Sequence, residues 1–486
     1  MTVGPTPSER LARADARVRE GCLECLFDAY REFNALQSVP GSAELAAAGA
    51  VRSAALIALR ERELGMIDEN YLDRARAAAA SAPSVQANYG PVLDVLDVVA
   101  SRITGQSDES IRRFQTLNAN RAQWLEMLRA RADSDPLSAA VWISFSCTNN
   151  QNRDARTRDA LLAPLTTLKS APIVEYQLLV CLPADKDLAD FQDAHGNYHE
   201  VDFWIGQRNI AAQLLDEAEQ RFESAYKWHP AWPSAMTSLA ALLMTAEEFE
   251  AALDMSDRVL AIAPNTADAK LNRLRALSYL GKNDAAIDQA TTMIATNAMP
   301  SDAYYWRAWN ENQKDELEPA WADVETAERM WHNNEVLKLA GMVAYRRHEL
   351  QVSKAKFESV LQIPGPADCD VLFDLADVNI ELSSWEAGAG RYAETAACID
   401  GARRALAGEI AKLQESGGAP DRIGRQVARR EAMRAAALRM QVQSWFNGSV
   451  AYLQLHRNDD ARRFAEHVVD DQEFGERARE VLARIR

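Results

Sequence analysis

Long apolar runs are missing from the 486-residue sequence. No uncharged stretch reaches the roughly 18 residues that a membrane-spanning helix needs, so no span is expected. Met1 to Glu20 is polar and charged and lacks the apolar centre of a signal peptide. A cytoplasmic protein is the expectation, with a periplasmic one as the alternative if a leader has been removed. Strand-like alternation and β-branched clusters are scarce, and glycine and proline number only 21 and 17, which excludes a sandwich or barrel. An excess of basic residues is also missing. The net charge is −17, and a nucleic-acid partner, whose binding draws on phosphate neutralisation, is excluded as the main ligand. Six cysteines in a chain this long predict no disulfide scaffold: Cys25 reads as a small apolar residue at a helix crossing, and Cys147, Cys181, Cys369 and Cys398 as isolated buried thiols.

Alanine, leucine, glutamate and arginine recur in long stretches instead, and they favour helix throughout. The apolar pattern repeats. Pro230 and Pro264 each close a helical segment one period apart, and Leu239, Leu243, Phe249, Ala252 and Val259 lie between them. The next unit repeats the scheme with Leu274, Leu277, Gly281, Ala286 and Met293. Upstream, Gly206, Ala218, Phe222 and Ala225 fit the same frame; downstream, Ala308, Ala320 and Ala327 do, then Gly341, Tyr345, Phe357 and Val360. Small residues where two helices cross, with large apolar ones around them, are what an antiparallel pair requires. One pair cannot bury its own apolar face, so pairs must stack.

This pattern resembles the tetratricopeptide repeat across five units from about His199 to Pro364. The resemblance implies an all-α, right-handed α-solenoid of helix pairs. Residues 1–190 read as an irregular helical region with degenerate repeats, 191–366 as regular repeats, and 367–486 as extended helices with a terminal repeat marked by Trp445, Tyr452, Ala461 and Val468. In residues 367–486, Asp368–Gln414 reads as a lengthened pair interrupted at Gly388-Ala389-Gly390, and Ser416 to Pro420 as a turn. In the first third, helices are expected over Gly21–Leu36, Ala46–Gly65, Tyr71–Ala82, Gly90–Ile103, Ser110–Ala132, Leu137–Ser146, Arg153–Lys169 and Pro172–Leu182.

The resemblance also implies that the first helices of successive units line a concave groove for a partner protein or peptide. By repeat register the groove residues are Phe203, Trp204 and Gln207; Asn272, Arg275 and Tyr279; Tyr305, Trp306, Trp309 and Gln313; and Lys338, Tyr345 and Arg346. Tyr305, Trp306 and Trp309 share about one helix face, and aromatic and arginine side chains carry most binding energy at interfaces; packing of Trp306 and Trp309 into the inter-repeat core is the competing expectation. Relatives that clamp a chaperone's C-terminal carboxylate use lysine and asparagine on neighbouring first helices. Here Asn272 matches, whereas Thr237, Ala241, Asp302 and Trp306 replace the rest, so the clamp lacks its charges. The arginine-rich helix from Arg422 to Arg439 reads as a solvated face or as a dock for an acidic partner.

Motifs that carry chemistry are thin. Cys22 and Cys25 form a C-x-x-C without a second pair or a following histidine. His195, His199 and Glu200 lie close in sequence, but the intervening glycine and asparagine read as a loop. Gly281-Lys282 follows no glycine-rich phosphate loop, and no G-x-S-x-G elbow is present. No catalytic residue, metal site or cofactor is expected. The reading is a protein-interaction scaffold. The alternatives are a helical structural subunit of a larger, envelope-associated complex, and an enzyme with a site in the N-terminal region.

Overall fold

The computed structural model describes residues 5–100, 108–147, 155–182, 185–415 and 420–485, and every regular element among them is a helix. The chain forms two compact units, Met1–Leu242 with Ala261–Pro264, and Leu243–Leu260 with Asn265–Arg486.

The first unit opens with α1 (Pro7–Glu20), α2 (Leu23–Leu36), α3 (Ala43–Leu64), α4 (Tyr71–Ala80) and α5 (Pro83–Ala100). Next come α6 (Asp108–Arg131), α7 (Pro136–Cys147), α8 (Ala155–Leu162), α9 (Pro172–Cys181) and α10 (Asp185–Ala194). The pair α11 (Val201–Ala211) and α12 (Leu215–Trp228) follows, and α13 (Pro233–Thr245) and α14 (Phe249–Ile262) run across the division between the units. The second unit continues with α15 (Ala267–Tyr279), α16 (Asn283–Ala295), α17 (Pro300–Gln313), α18 (Leu317–Met330), α19 (Asn334–Arg346) and α20 (Leu350–Gln362). It ends with α21 (Cys369–Glu381), the long α22 (Trp385–Glu415) and α23 (Pro420–Gln454), α24 (Asn458–Glu466) and α25 (Gly475–Ile485).

One turn design joins the repeat pairs. Gln213, Glu247, Gly281, Asp315, His348, Ser383 and His456 all hold positive φ, between 56° and 68°. The next residue's N–H reaches back to a carbonyl in the last helical turn, as Leu214 N–H does to Asn209 (2.8 Å), Glu248 to Leu243 (2.8 Å) and Ser384 to Asn379 (2.8 Å). This is the Schellman closure, which satisfies carbonyls that the helix end leaves open. It occurs between α11 and α12, α13 and α14, and so on through α21 and α22, and again between α23 and α24.

The pairs cross on small residues. A Cβ built on Gly206 would lie 2.9 Å from the Phe222 ring, on Gly341 2.5 Å from Phe357, and on Gly448 2.7 Å from Phe464. Glycine on the first helix therefore makes the socket for an aromatic ring on the second, at one constant spacing. The helix pairs are of tetratricopeptide type, and the all-α class follows from them.

Three local expectations are corrected. Helices α1 and α10 were not foreseen, although Thr6 and Glu9 form a capping box at the start of α1. The break after α21 falls at Ser383, and α22 runs unbroken through Gly388 and Gly390; a Cβ on Gly388 would strike Ile380 at 2.5 Å, so this glycine permits close packing. The cysteines are paired: Cys22–Cys25, Cys147–Cys181 and Cys369–Cys398. The last two pairs are separated by 34 and 29 residues. Stacked helix pairs bring positions about one repeat apart into contact, which turns isolated cysteines into neighbours. The turn expected at Ser416 to Pro420 lies almost wholly outside the described residues.

Candidate interaction surface

In the second unit the first helices of successive pairs pack on one another: α15 on α17, α17 on α19, and α19 on α21. Polar bridges follow the same line. Asn310 Nδ2 donates to Ser278 Oγ at 2.8 Å, and Arg346 Nη1 donates to Asn312 Oδ1 at 2.8 Å. Lys338 Nζ reaches Asp368 at 2.9 Å and Asp370 at 3.0 Å. These helices form a continuous wall, and its chemistry changes along its length.

The end formed by α14, α15 and α17 is aromatic. Phe249 stacks on Tyr279 with centroids 4.7 Å apart and planes at 11°. Tyr279 meets Trp306 edge-on at 5.4 Å, and Trp306 meets Tyr305 at 5.3 Å and Trp309 at 5.8 Å. Trp306 is buried, at 8% exposure, while Tyr279 is 47% exposed; Tyr305 and Trp309 are half-buried and Gln313 is exposed. Arg275 is half-buried and makes no hydrogen bond or ion pair among the described residues. Burial, with Glu335 nearby, raises the Tyr305 hydroxyl above its ordinary range, so that group stays a neutral donor.

The α19 and α21 end is acidic. Asp370, Asp374, Asp377 and Glu381 recur at helical spacing on α21. Burial, with repulsion from Asp370 and Asp377, pushes the Asp374 carboxyl up to about 7. The Tyr345 hydroxyl donates to Glu381, and Tyr392 donates to Asp377. This stripe escaped the sequence reading, which stopped the regular repeats at Pro364. Its signal was the same spacing of polar residues on the first helix of one more pair.

The three positions of α11 belong to the first unit. Phe203 is 6% exposed and packs against Trp204, Phe222 and Trp232. Trp204 Nε1 donates to the Tyr176 hydroxyl at 2.9 Å, and Gln207 Nε2 to Ser238 Oγ at 2.9 Å. Asn272, on α15, is buried.

The histidine cluster is dispersed. The His195 ring lies 4.7 Å from the Phe191 ring, with Nδ1 3.8 Å from Glu20. The His199 ring faces Trp228 at 5.5 Å. Glu200 is fully buried, accepts the Leu23 N–H at 3.2 Å and lies 3.6 Å from buried Arg60. Arg60 in turn sits 3.3 Å over the Tyr176 ring. This ionic core carries the junction of α1 and α2: Arg60 Nη2 donates to the Gly21 carbonyl at 3.2 Å. The sequence places Glu200 beside His195 and His199 in a loop without a metal role, and its partner is not legible there, because Arg60 lies on α3, far away in the chain.

No described helix is long and apolar enough to cross a membrane. No family model matches the chain, and no curated protein matches it. Solved structures resemble parts of it. TTC0263, a thermophilic tetratricopeptide-repeat protein of Thermus thermophilus, is 18% identical over 37% of this chain and 99% of its own, with a TM-score of 0.33. A tetratricopeptide-repeat protein from Parabacteroides merdae is 14% identical over 59% of this chain and 98% of its own, at a TM-score of 0.35. PilF of Pseudomonas aeruginosa is 15% identical over 40% and 89% of the two chains, at 0.36. These are likenesses over part of the chain. The tetratricopeptide character of the pairs rests on their turns and crossings.

Proposed function

We propose that this protein is an interaction scaffold that holds a segment of a partner protein along the first-helix wall of the second unit. The observation that carries the reading is the aromatic end of that wall. Tyr279 offers a ring that is 47% exposed beside half-buried Tyr305 and Trp309, and Arg275 stands next to them without an ion-pair partner among the described residues. Rigid rings and an uncommitted guanidinium are the groups that dominate protein interfaces. The acidic stripe on α21 would favour a segment with basic residues at the other end.

Capture of partners on the immobilised full chain, with identification by mass spectrometry, tests the proposal. Tyr279→Ala and Arg275→Ala should each lose a partner that the unaltered chain holds. A partner retained equally by both variants removes the basis for this wall as the binding surface.

A specific observation also favours the oxidising alternative for location. All six cysteines are paired, and stable disulfides belong to oxidising compartments. We therefore place the working protein outside the reducing cytosol.

A further inference from the structure

Three arginines of α23 converge on one spot within their own unit, the turn between α13 and α14, while Arg430 also reaches Glu409 on α22 at 3.3 Å and Arg434 pairs with Glu431 on α23 itself. Arg425 Nη2 lies 3.1 Å from Glu248 Oε1. Arg429 Nε lies 2.7 Å and Arg430 Nη1 2.9 Å from Glu247 Oε2. Arg429 Nη1 also donates to the Glu247 carbonyl at 3.1 Å, and its guanidinium sits 4.6 Å over the Phe249 ring. Phe249 is the ring that stacks on Tyr279, so this helix is seated on the end of the aromatic ladder.

The contact is made of charge and one ring face. The Arg425 and Arg429 side chains remain 63% and 42% exposed, and Gly424, Ala428, Ala432 and Met433 face solvent. A cavity of 310 Å³ remains between the turn and the helix, lined by Glu247, Glu250, Ala251, Arg425, Gln426 and Arg429. Exposed ion pairs hold weakly and are screened by salt. The Glu248, Glu247 and Arg430 side chains are part-buried and α23 also packs along α22, but the contact with the turn itself has no apolar core beyond the Phe249 ring face.

We propose that the Glu247–Glu248–Phe249 turn is an arginine-recognition site, that α23 occupies it in the resting chain, and that its exchange partner is an arginine-bearing helix of another protein. Two adjacent carboxylates and a ring face select a guanidinium, because it pairs through a planar fork and stacks; an ammonium does neither as well. Release of α23 uncovers the Phe249 ring face beside the already exposed Tyr279, a consequence that rests on the interaction reading above. The arginine site itself does not depend on that reading.

The test uses the full chain and a fluorescent peptide with the sequence of residues 420–440, followed by anisotropy at low salt. In wild type the tethered helix competes with the peptide, so its apparent affinity is reduced by the fraction of sites left open. Arg425→Glu/Arg429→Glu/Arg430→Glu in the chain should open the site and tighten peptide binding by roughly tenfold or more. Adding Glu247→Gln and Glu248→Gln should abolish that gain, and a peptide with lysine for every arginine should bind several-fold more weakly. Equal affinity for wild type and the opened variant overturns the proposal. So does absence of binding to both, or binding indifferent to Glu247 and Glu248. The peptide is this chain's own sequence, so the assay reads the site whatever becomes of the foreign partner captured through Tyr279 and Arg275.

Discussion

Replacing Glu200 with alanine should be among the costliest single changes in the first unit. Its carboxylate is fully buried beside Arg60, whose side chain is 3% exposed. Burial raises the Glu200 carboxyl, and Arg60 opposes that shift. Removing the carboxylate leaves the guanidinium buried with the Gly21 carbonyl, the Tyr176 and Tyr198 rings and the weaker attraction of Glu63 for compensation, and it strips the Leu23 N–H of its acceptor. Breaking a buried pair from one side costs about 3–5 kcal/mol, and an orphaned buried donor adds about 1–3 kcal/mol. The contributions overlap, so a loss of about 4 kcal/mol is expected. Urea unfolding followed by tryptophan fluorescence and near-ultraviolet dichroism reads it as a shifted midpoint for the transition of this unit. Arg60→Met with Glu200→Leu should recover more than half of the loss, because apolar residues carry no unpaired charge. A single variant that costs less than about 1 kcal/mol, or a double variant whose cost equals the sum of both singles, would refute the reasoning.

Further predictions address the repeat, the titration and the cysteines. Gly341→Val should cost about 1–3 kcal/mol by overpacking the Phe357 ring, and Phe357→Ala about 3–5 kcal/mol by emptying the same socket; calorimetry should show both losses in the second unit. Burial pushes Glu61 up to about 8, and Glu311 up to about 7 with repulsion from Asp323 helping. A carboxyl raised in the folded state binds its proton more tightly there, so its contribution to stability is present below the ordinary carboxylate range and is lost as pH rises through about 7 to 8. Between about pH 5 and 8, thermal midpoints should therefore fall with rising pH, and Glu61→Gln should flatten the slope. Maleimide should label no cysteine of the folded, unreduced protein. Removing the Cys369–Cys398 bridge, which closes a 29-residue separation, should cost about 3.6 kcal/mol in the chain-entropy account.

Much of the fold could be read from the chain because a repeat states its rule several times. The small residue at Gly206 or Gly341 and the ring at Phe222 or Phe357 are one physical solution written at a constant spacing. What escaped has physical causes too. The Schellman turns use Gln213, Glu247, Asp315, His348 and Ser383 where glycine would be easiest, so the turns lacked their usual marker. The Arg60–Glu200 pair and the seat of α23 on Glu247 join residues far apart in the chain, which no local pattern announces. Of the groove residues, burial separates Phe203, Asn272 and Trp306 from exposed Tyr279 and Gln313. That distinction depends on helix rotation to within a single position, finer than the repeat frame alone defines.

The scaffold proposal is tested most directly by a photo-crosslinking residue placed singly at Gln313 or Tyr279 on the wall, and at exposed Glu325 on second helix α18 as control. Irradiation in the native organism, followed by mass spectrometry of the adducts, should yield one partner protein from both wall positions and not from Glu325. Adducts of equal yield from Glu325, or none from either wall position, would contradict the account.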